Sequence, residues 1–134
     1  MKFPTIRDID LKGQRVLLRA GFDIPPKALP DGRLVPRSDL RLKALAPTIR
    51  YLLEQQCAII FLTWIKRPDG KTEERLRTKA IAERLSEIVG KPVAALSFIT
   101  GKEVQHHISN MKPCDMAMLE NVRFDPREIP TNEA

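Results

Sequence analysis

Compact apolar runs alternate along the chain with stretches in which apolar residues return every three or four positions. Arg15–Phe22 (RVLLRAGF), Ala58–Ile65 (AIIFLTWI), Val93–Leu96 (VAAL) and Met116–Val122 (MAMLENV) are the compact runs. Each is a compact, mainly apolar run rather than a clean alternation, which predicts short strands of a parallel sheet covered on both faces. Leu42, Leu45, Ile49, Leu52 and Leu53 recur at helical spacing between Asp39 and Gln56, and Pro47 is expected to delay or kink that helix. Ile81, Leu85, Ile88 and Val89 mark a second helix, closed by Gly90 ahead of Pro92. Thr100-Gly-Lys-Glu103 has the form of a capping box for a third, short helix that continues through Val104 and Ile108. Pro25–Arg37 reads as a proline-rich loop around a Pro-Asp-Gly turn, and Arg67–Thr78 as a polar loop. Alternation of strand and helix implies right-handed crossovers and an α/β fold.

The end of the chain adds a constraint. No covering helix follows the fourth strand before Ala134, although Thr131 or Asn132 would cap one. The sequence therefore reads as the front part of a larger protein, with an open sheet finished by a partner chain as the alternative. An uncovered fourth strand is expected to promote self-association.

With 134 residues, 43% hydrophobic and 30% charged, the chain has material for one small domain with a modest core, made mostly of aliphatic residues because only 5% are aromatic. The formal net charge of +6 favours anionic partners. Cys57 and Cys114 lack C-x-x-C or zinc-ligand spacing, which points to packing in a reducing, cytoplasmic setting. The opening MKFPTIRDIDLKG has no apolar signal core, and the longest apolar stretch, around residues 57–65, is too short to span a bilayer, so no membrane association is expected.

Charge matters most by position. Ligands of open parallel sheets sit at the carboxyl ends of the strands. Those ends carry Arg19, Gly21 and Asp23, then Trp64, Lys66 and Arg67, then Glu120, Asn121 and Arg123. Arg41, near a helix start, can join them. The arginine fork donates two hydrogen bonds to a phosphate or carboxylate, so the cluster points to a phosphorylated or carboxylated small molecule, with Asp23 and Glu120 offsetting part of the repulsion. No glycine-rich phosphate loop is present. His106 and His107 are adjacent on a helix and point apart, so no metal site is expected. No Ser or Cys lies in a nucleophile motif. Aromatics are not interleaved with the basic residues, which argues against nucleic acid.

These strand ends make a resemblance specific. RVLLRAGFDIP (15–25) resembles the R-V-D-F-N-V-P strand end of the phosphoglycerate kinase family, and RLKALAPTI (41–49) its R-I-R-A-A-L-P-T-I helix. FLTWIKRPDGK (61–71) resembles the S-H-L-G-R-P loop, AERLSEIVGKPV (82–93) the A-x-R-L-S-E-L-L-G-K-P-V stretch, and MKPCDMAMLENVRFDP (111–126) the M-K-P-G-D-x-x-L-L-E-N-L-R-F segment. The resemblance covers essentially the whole chain, in order. It implies a three-layer α/β sandwich with a parallel, Rossmann-like sheet, and it places residues 1–134 in the N-terminal phosphoglycerate-binding domain, which they fill incompletely. The nucleotide-binding C-terminal domain is then absent from this chain. The implied reaction is glycolytic phosphoryl transfer between 1,3-bisphosphoglycerate and ADP, or 3-phosphoglycerate and ATP, with magnesium nucleotide held by the absent domain. Family members are usually monomeric.

By the same resemblance, Arg41 stands where the family stabilises the transferring phosphoryl group, and Arg67 and Arg123 where it holds the triose phosphate and carboxylate. Gly21, Phe22, Asp23, Trp64, Ile65 and Lys66 fill the rest of the substrate-binding segments. Four of these depart from the family pattern: Gly21 stands for aspartate, Asp23 for asparagine, Trp64 for histidine and Lys66 for glycine. The 134 residues alone are expected not to catalyse the reaction. The alternative expectation is a non-catalytic relative whose basic edge binds another anion or a protein partner.

Overall fold

Ala58–Leu62 is buried at its first four positions, and the rest of the fold is arranged on either side of it. The computed structural model describes residues 2–129. The elements are β1 (Arg15–Arg19), β2 (Pro26–Ala28), β3 (Leu34–Pro36), α1 (Leu40–Glu54), β4 (Ala58–Leu62), α2 (Lys79–Val89), β5 (Ala94–Ala95), α3 (Lys102–Ser109) and β6 (Met116–Met118). A parallel sheet runs in the order β1-β4-β6-β5.

The apolar runs sort onto two faces by strand alternation. Ile59 and Phe61 of β4, with Met116 and Met118 of β6, pack against Leu42, Ile49 and Leu52 of α1 and Ile81 and Leu85 of α2. Ile60 and Leu119 point the other way, against Val104 and Ile108 of α3. Three layers result, as the sequence predicts. The handedness rule explains the split: β1 to β4 and β4 to β5 move in one direction across the sheet, and β5 to β6 returns, so α3 lands on the opposite face.

Pro47 does not break α1, which runs unbroken from Leu40 to Glu54. A proline inside a helix forfeits one backbone bond and costs about 3 kcal/mol. The burial of Leu42, Ala46, Ile49 and Leu52 on the opposite face of α1 offsets that cost. The third helix does not form the expected capping box: its N-cap is Gly101, at φ 110°, with no side-chain bond. Pro25–Arg37 is also more ordered than a loop. Pro26–Ala28 and Leu34–Pro36 pair as an antiparallel hairpin, whose end prolines tolerate the missing donors of a two-stranded ribbon.

The fourth strand is not the uncovered one. β6 lies inside the sheet and all three of its residues are buried. The exposed strand is β1, at the sheet edge. Its Leu17 is paired in register with Ile60 yet is 63% exposed, because the α3 cluster does not extend over it. The expectation of a helix capped by Thr131 or Asn132 lies outside the described residues. Cys57 is buried and its thiol donates to Leu11 O at 3.1 Å, a packing role, and burial pushes that thiol above its ordinary range. No helix among the described residues is long and apolar enough to cross a membrane.

Candidate functional site

The regular strands stop earlier than the apolar runs do. Beyond Arg19, Leu62 and Met118 the backbone donors turn to other acceptors. Ala20 N still reaches Leu62 O at 2.9 Å, but Phe22 N donates to the buried Thr63 hydroxyl at 3.2 Å. Val122 N donates to Thr63 O at 3.1 Å. Thr63 thus ties together the ends of all three strands.

The next residues form a pinned turn. Asn121, fully buried, donates from Nδ2 to Ile65 O at 2.9 Å and to Leu76 O at 3.1 Å, and its Oδ1 accepts from Arg123 N at 3.1 Å. Lys66 N donates to Asp23 Oδ1 at 2.7 Å, and Arg123 Nη1 donates to Lys66 O at 2.7 Å. Held this way, Lys66 adopts φ 53°, the left-handed region that glycine favours. Gly70, at φ 74°, brings the loop against the turn that follows β6: a Cβ on it would lie 3.0 Å from Pro126 Cα.

The cations predicted at this edge do gather there. Arg19 Cζ lies 4.5 Å from the Trp64 ring centroid and Arg123 Cζ 5.4 Å from it, both within cation–π range. Arg41, in the first turn of α1, donates from Nη1 to Asp23 O at 3.2 Å. Arg67 and Arg123 line a cavity of 420 Å³ with Asp69, Glu128 and Ile129. Gly21 and Arg41 line a second of 330 Å³, and Arg19 and Trp64 a third of 280 Å³. A Cβ on Gly21 would sit 4.0 Å from the indole, so Trp64, which lines the third hollow, lies close to residues of the other two. Phe22 and Ile65 belong to the same segments, but their side chains are buried in the core, with Phe22 and Phe61 ring centroids 6.2 Å apart. Their backbone groups serve the fold: Phe22 N donates to Thr63 Oγ1 and Ile65 O accepts from Asn121 Nδ2.

Glu120 does not offset the cluster as expected. Its carboxylate, 4% exposed as a residue, accepts from Thr78 N, Asn121 N and Arg77 Nη1 at 3.0, 2.9 and 2.8 Å. Glu74 and Glu120 together push Arg77 above its ordinary value and so hold it charged. Asp125 is committed to Arg127, whose side chain holds its carboxyl down at about 2. Asp39 is committed to Arg84, which holds that carboxyl below its ordinary range. Among the described residues, Arg19, Arg41, Arg67 and Arg123 form no ion pair with any carboxylate. Glu120, Asp125 and Asp39 are thus held by Arg77, Arg127 and Arg84, while Asp69 and Glu128 stand beside Arg67 and Arg123 in the 420 Å³ hollow without an ion pair among the described residues, so the edge is rich in cations that no carboxylate clamps.

Thr63 and Asn121 escaped sequence reasoning as site residues, although each is a polar side chain inside an apolar run, the signal that marks a buried hydrogen-bonding post. His106 is exposed and bonds only to Asn110. Among the described residues, no three His, Cys, Asp or Glu side chains come together as a metal-ligand set.

The phosphoglycerate kinase family model matches residues 6–134. Curated phosphoglycerate kinases of Pelotomaculum thermopropionicum and Fervidobacterium nodosum are 39% and 43% identical over 129 and 124 residues, which cover 96% and 92% of this chain. The chain spans only 32% and 30% of the lengths of those relatives. The crystal structure of phosphoglycerate kinase from Pyrococcus horikoshii OT3 superposes with a TM-score of 0.78 at 30% identity, over 95% of this chain and 30% of the other. Phosphoglycerate kinase from Coxiella burnetii gives a TM-score of 0.71 at 25% identity, over 92% of this chain.

Proposed function

Since this chain belongs to the phosphoglycerate kinase family, we propose that its strand-end cations bind the phosphoglycerate side of the family's phosphoryl-transfer reaction. One observation carries the reading: the basic edge holds Arg19, Arg41, Arg67 and Arg123 with no carboxylate bound to any of them among the described residues. A multiply charged small acid is the complement of such an edge. In this reading Arg67 and Arg123 hold phosphate and carboxylate oxygens by paired N–H groups, and Arg41 neutralises charge on the transferring phosphoryl group. Gly21 offers no side-chain acceptor to a substrate hydroxyl, and Asp23 spends an oxygen on Lys66 N, so recognition rests on the arginines. Magnesium nucleotide belongs, in this proposal, to the remainder of the family's length, which this chain does not span.

The test is a titration of the 134-residue chain with 3-phosphoglycerate, followed by amide and arginine side-chain NMR. Saturable shifts centred on Arg41, Arg67 and Arg123 are expected, and Arg67→Ala is expected to weaken binding about tenfold or more, the loss of one charge-assisted bidentate pair. A coupled kinase assay on the isolated chain is expected to show no turnover. A second reading, a non-catalytic relative that uses the same edge for another anion, is favoured by the indole of Trp64 beside Gly21. Shifts induced by inorganic phosphate but not by 3-phosphoglycerate would select it.

A further inference from the structure

We infer that Trp64 is a positioning residue that orders Arg19 and Arg123, each stacked on its ring, as phosphate-binding arms of the sheet edge. The inference rests on the reading of the basic edge as an anion site and assigns the group that organises it. Arg19 and Arg123 come from the ends of β1 and β6, on either side of β4, which carries Trp64. Guanidiniums gathered at one sheet edge repel each other. Here both lie over one indole, at 4.5 and 5.4 Å, where the negative ring face offsets part of that repulsion. Stacking uses the flat face of a guanidinium and leaves its in-plane N–H groups free. Arg123 spends Nη1 on Lys66 O, which fixes its plane without exhausting its donors.

Gly21 lies beside the ring: a Cβ built there would meet the indole at 4.0 Å, an ordinary packing contact. Trp64 is only half-buried, so a ligand can reach the arginines it carries. The indole therefore orders two arms that would otherwise sample many rotamers, and the ordering entropy is met before the phosphate arrives.

Trp64 is the only tryptophan in the chain, so its emission reports on this site alone. The experiment measures binding of inorganic phosphate and of 3-phosphoglycerate to the wild-type chain and to Trp64→Phe, Trp64→Leu and Trp64→Ala, with arginine Hε chemical shifts recorded without ligand. In the wild type, both anions should change the emission saturably. Trp64→Phe, which keeps an aromatic face, should bind within about threefold of wild type, whereas Trp64→Leu and Trp64→Ala should bind about tenfold more weakly. The Arg19 and Arg123 Hε signals should lose their ring-current shifts in the leucine variant and largely keep them in the phenylalanine one. Leucine serves as the control for folding, because it fills space without a ring face. Wild-type affinity in Trp64→Leu, or tighter binding in Trp64→Ala, overturns the positioning role and leaves the proposed function standing. Binding of phosphate without 3-phosphoglycerate overturns the proposed function and leaves the positioning role standing. Binding of neither anion overturns both.

Discussion

Lys66 at φ 53° is held by Asp23 on its N–H and Arg123 on its carbonyl. A left-handed non-glycine residue costs about 1–2 kcal/mol, and the two bonds hold it there. Lys66→Gly is expected to leave stability unchanged or raise it by up to about 1 kcal/mol, and Lys66→Val to lower it by about 1–2 kcal/mol, measured by thermal unfolding. Asp125 offers a pH test. Its carboxyl is held down at about 2 by the Arg127 side chain, so its contribution is present above the ordinary carboxylate range and is lost as pH falls through about 2. Side-chain carboxyl NMR should show that titration near 2 in wild type and a return towards the ordinary value in Arg127→Ala. Much of this scale was legible in advance. Arginine at three strand ends needed only the rule that parallel strands end together. The partners of Glu120 were not legible, because its capture by Thr78 and Arg77 depends on where the α2 entry folds back, and nothing local in ENVRF announces that.

At the scale of elements, the loop between β4 and α2 is tied to the turn after β6 at Gly70, whose N–H donates to Arg123 O at 3.2 Å. Gly70→Ala puts a Cβ 3.0 Å from Pro126 Cα, in a backbone region alanine disfavours. A loss of about 2–4 kcal/mol is expected from the strain and overlap together, with shifted Arg67 and Arg123 signals as the second readout. Removing the carboxylate that anchors the start of α2 should act similarly: Glu120→Ala is expected to cost about 3 kcal/mol in denaturant unfolding, because it strands Arg77 and the Thr78 N–H. Element type was readable for every long run, since apolar period separates buried strands from helices. Strand ends were not. RVLLRAGF and AIIFLTWI stay apolar while Thr63 and Asn121 pull the backbone off the ladder, so composition continues where pairing has stopped. The β2–β3 hairpin was missed for the opposite reason: its prolines read as loop, yet a two-stranded ribbon leaves their missing donors unneeded.

For the whole molecule, the self-association expected of an uncovered strand moves from β6 to β1, where Leu17 is 63% exposed on a sheet face and the outer strand edge is free among the described residues. Leu17→Lys is expected to shift concentration-dependent light scattering towards smaller species without lowering the unfolding temperature, because the side chain buries little and a charged edge resists pairing. The order β1-β4-β6-β5 also fixes the timetable by which the fold can be made. The strand that joins β4 to β5 is the last of these four to be synthesised. At about 5–20 residues per second, the roughly 54 residues from the end of β4 to the start of β6 occupy about 3–11 s, during which β4 has a neighbour on one side only. Every nascent chain must therefore carry an unfinished, strongly apolar sheet until β6 is made, and its contacts are of the long-range kind that form slowly. The interval before β6 emerges, rather than the finished sheet, is when the apolar face of β4 is most open to pairing with another chain.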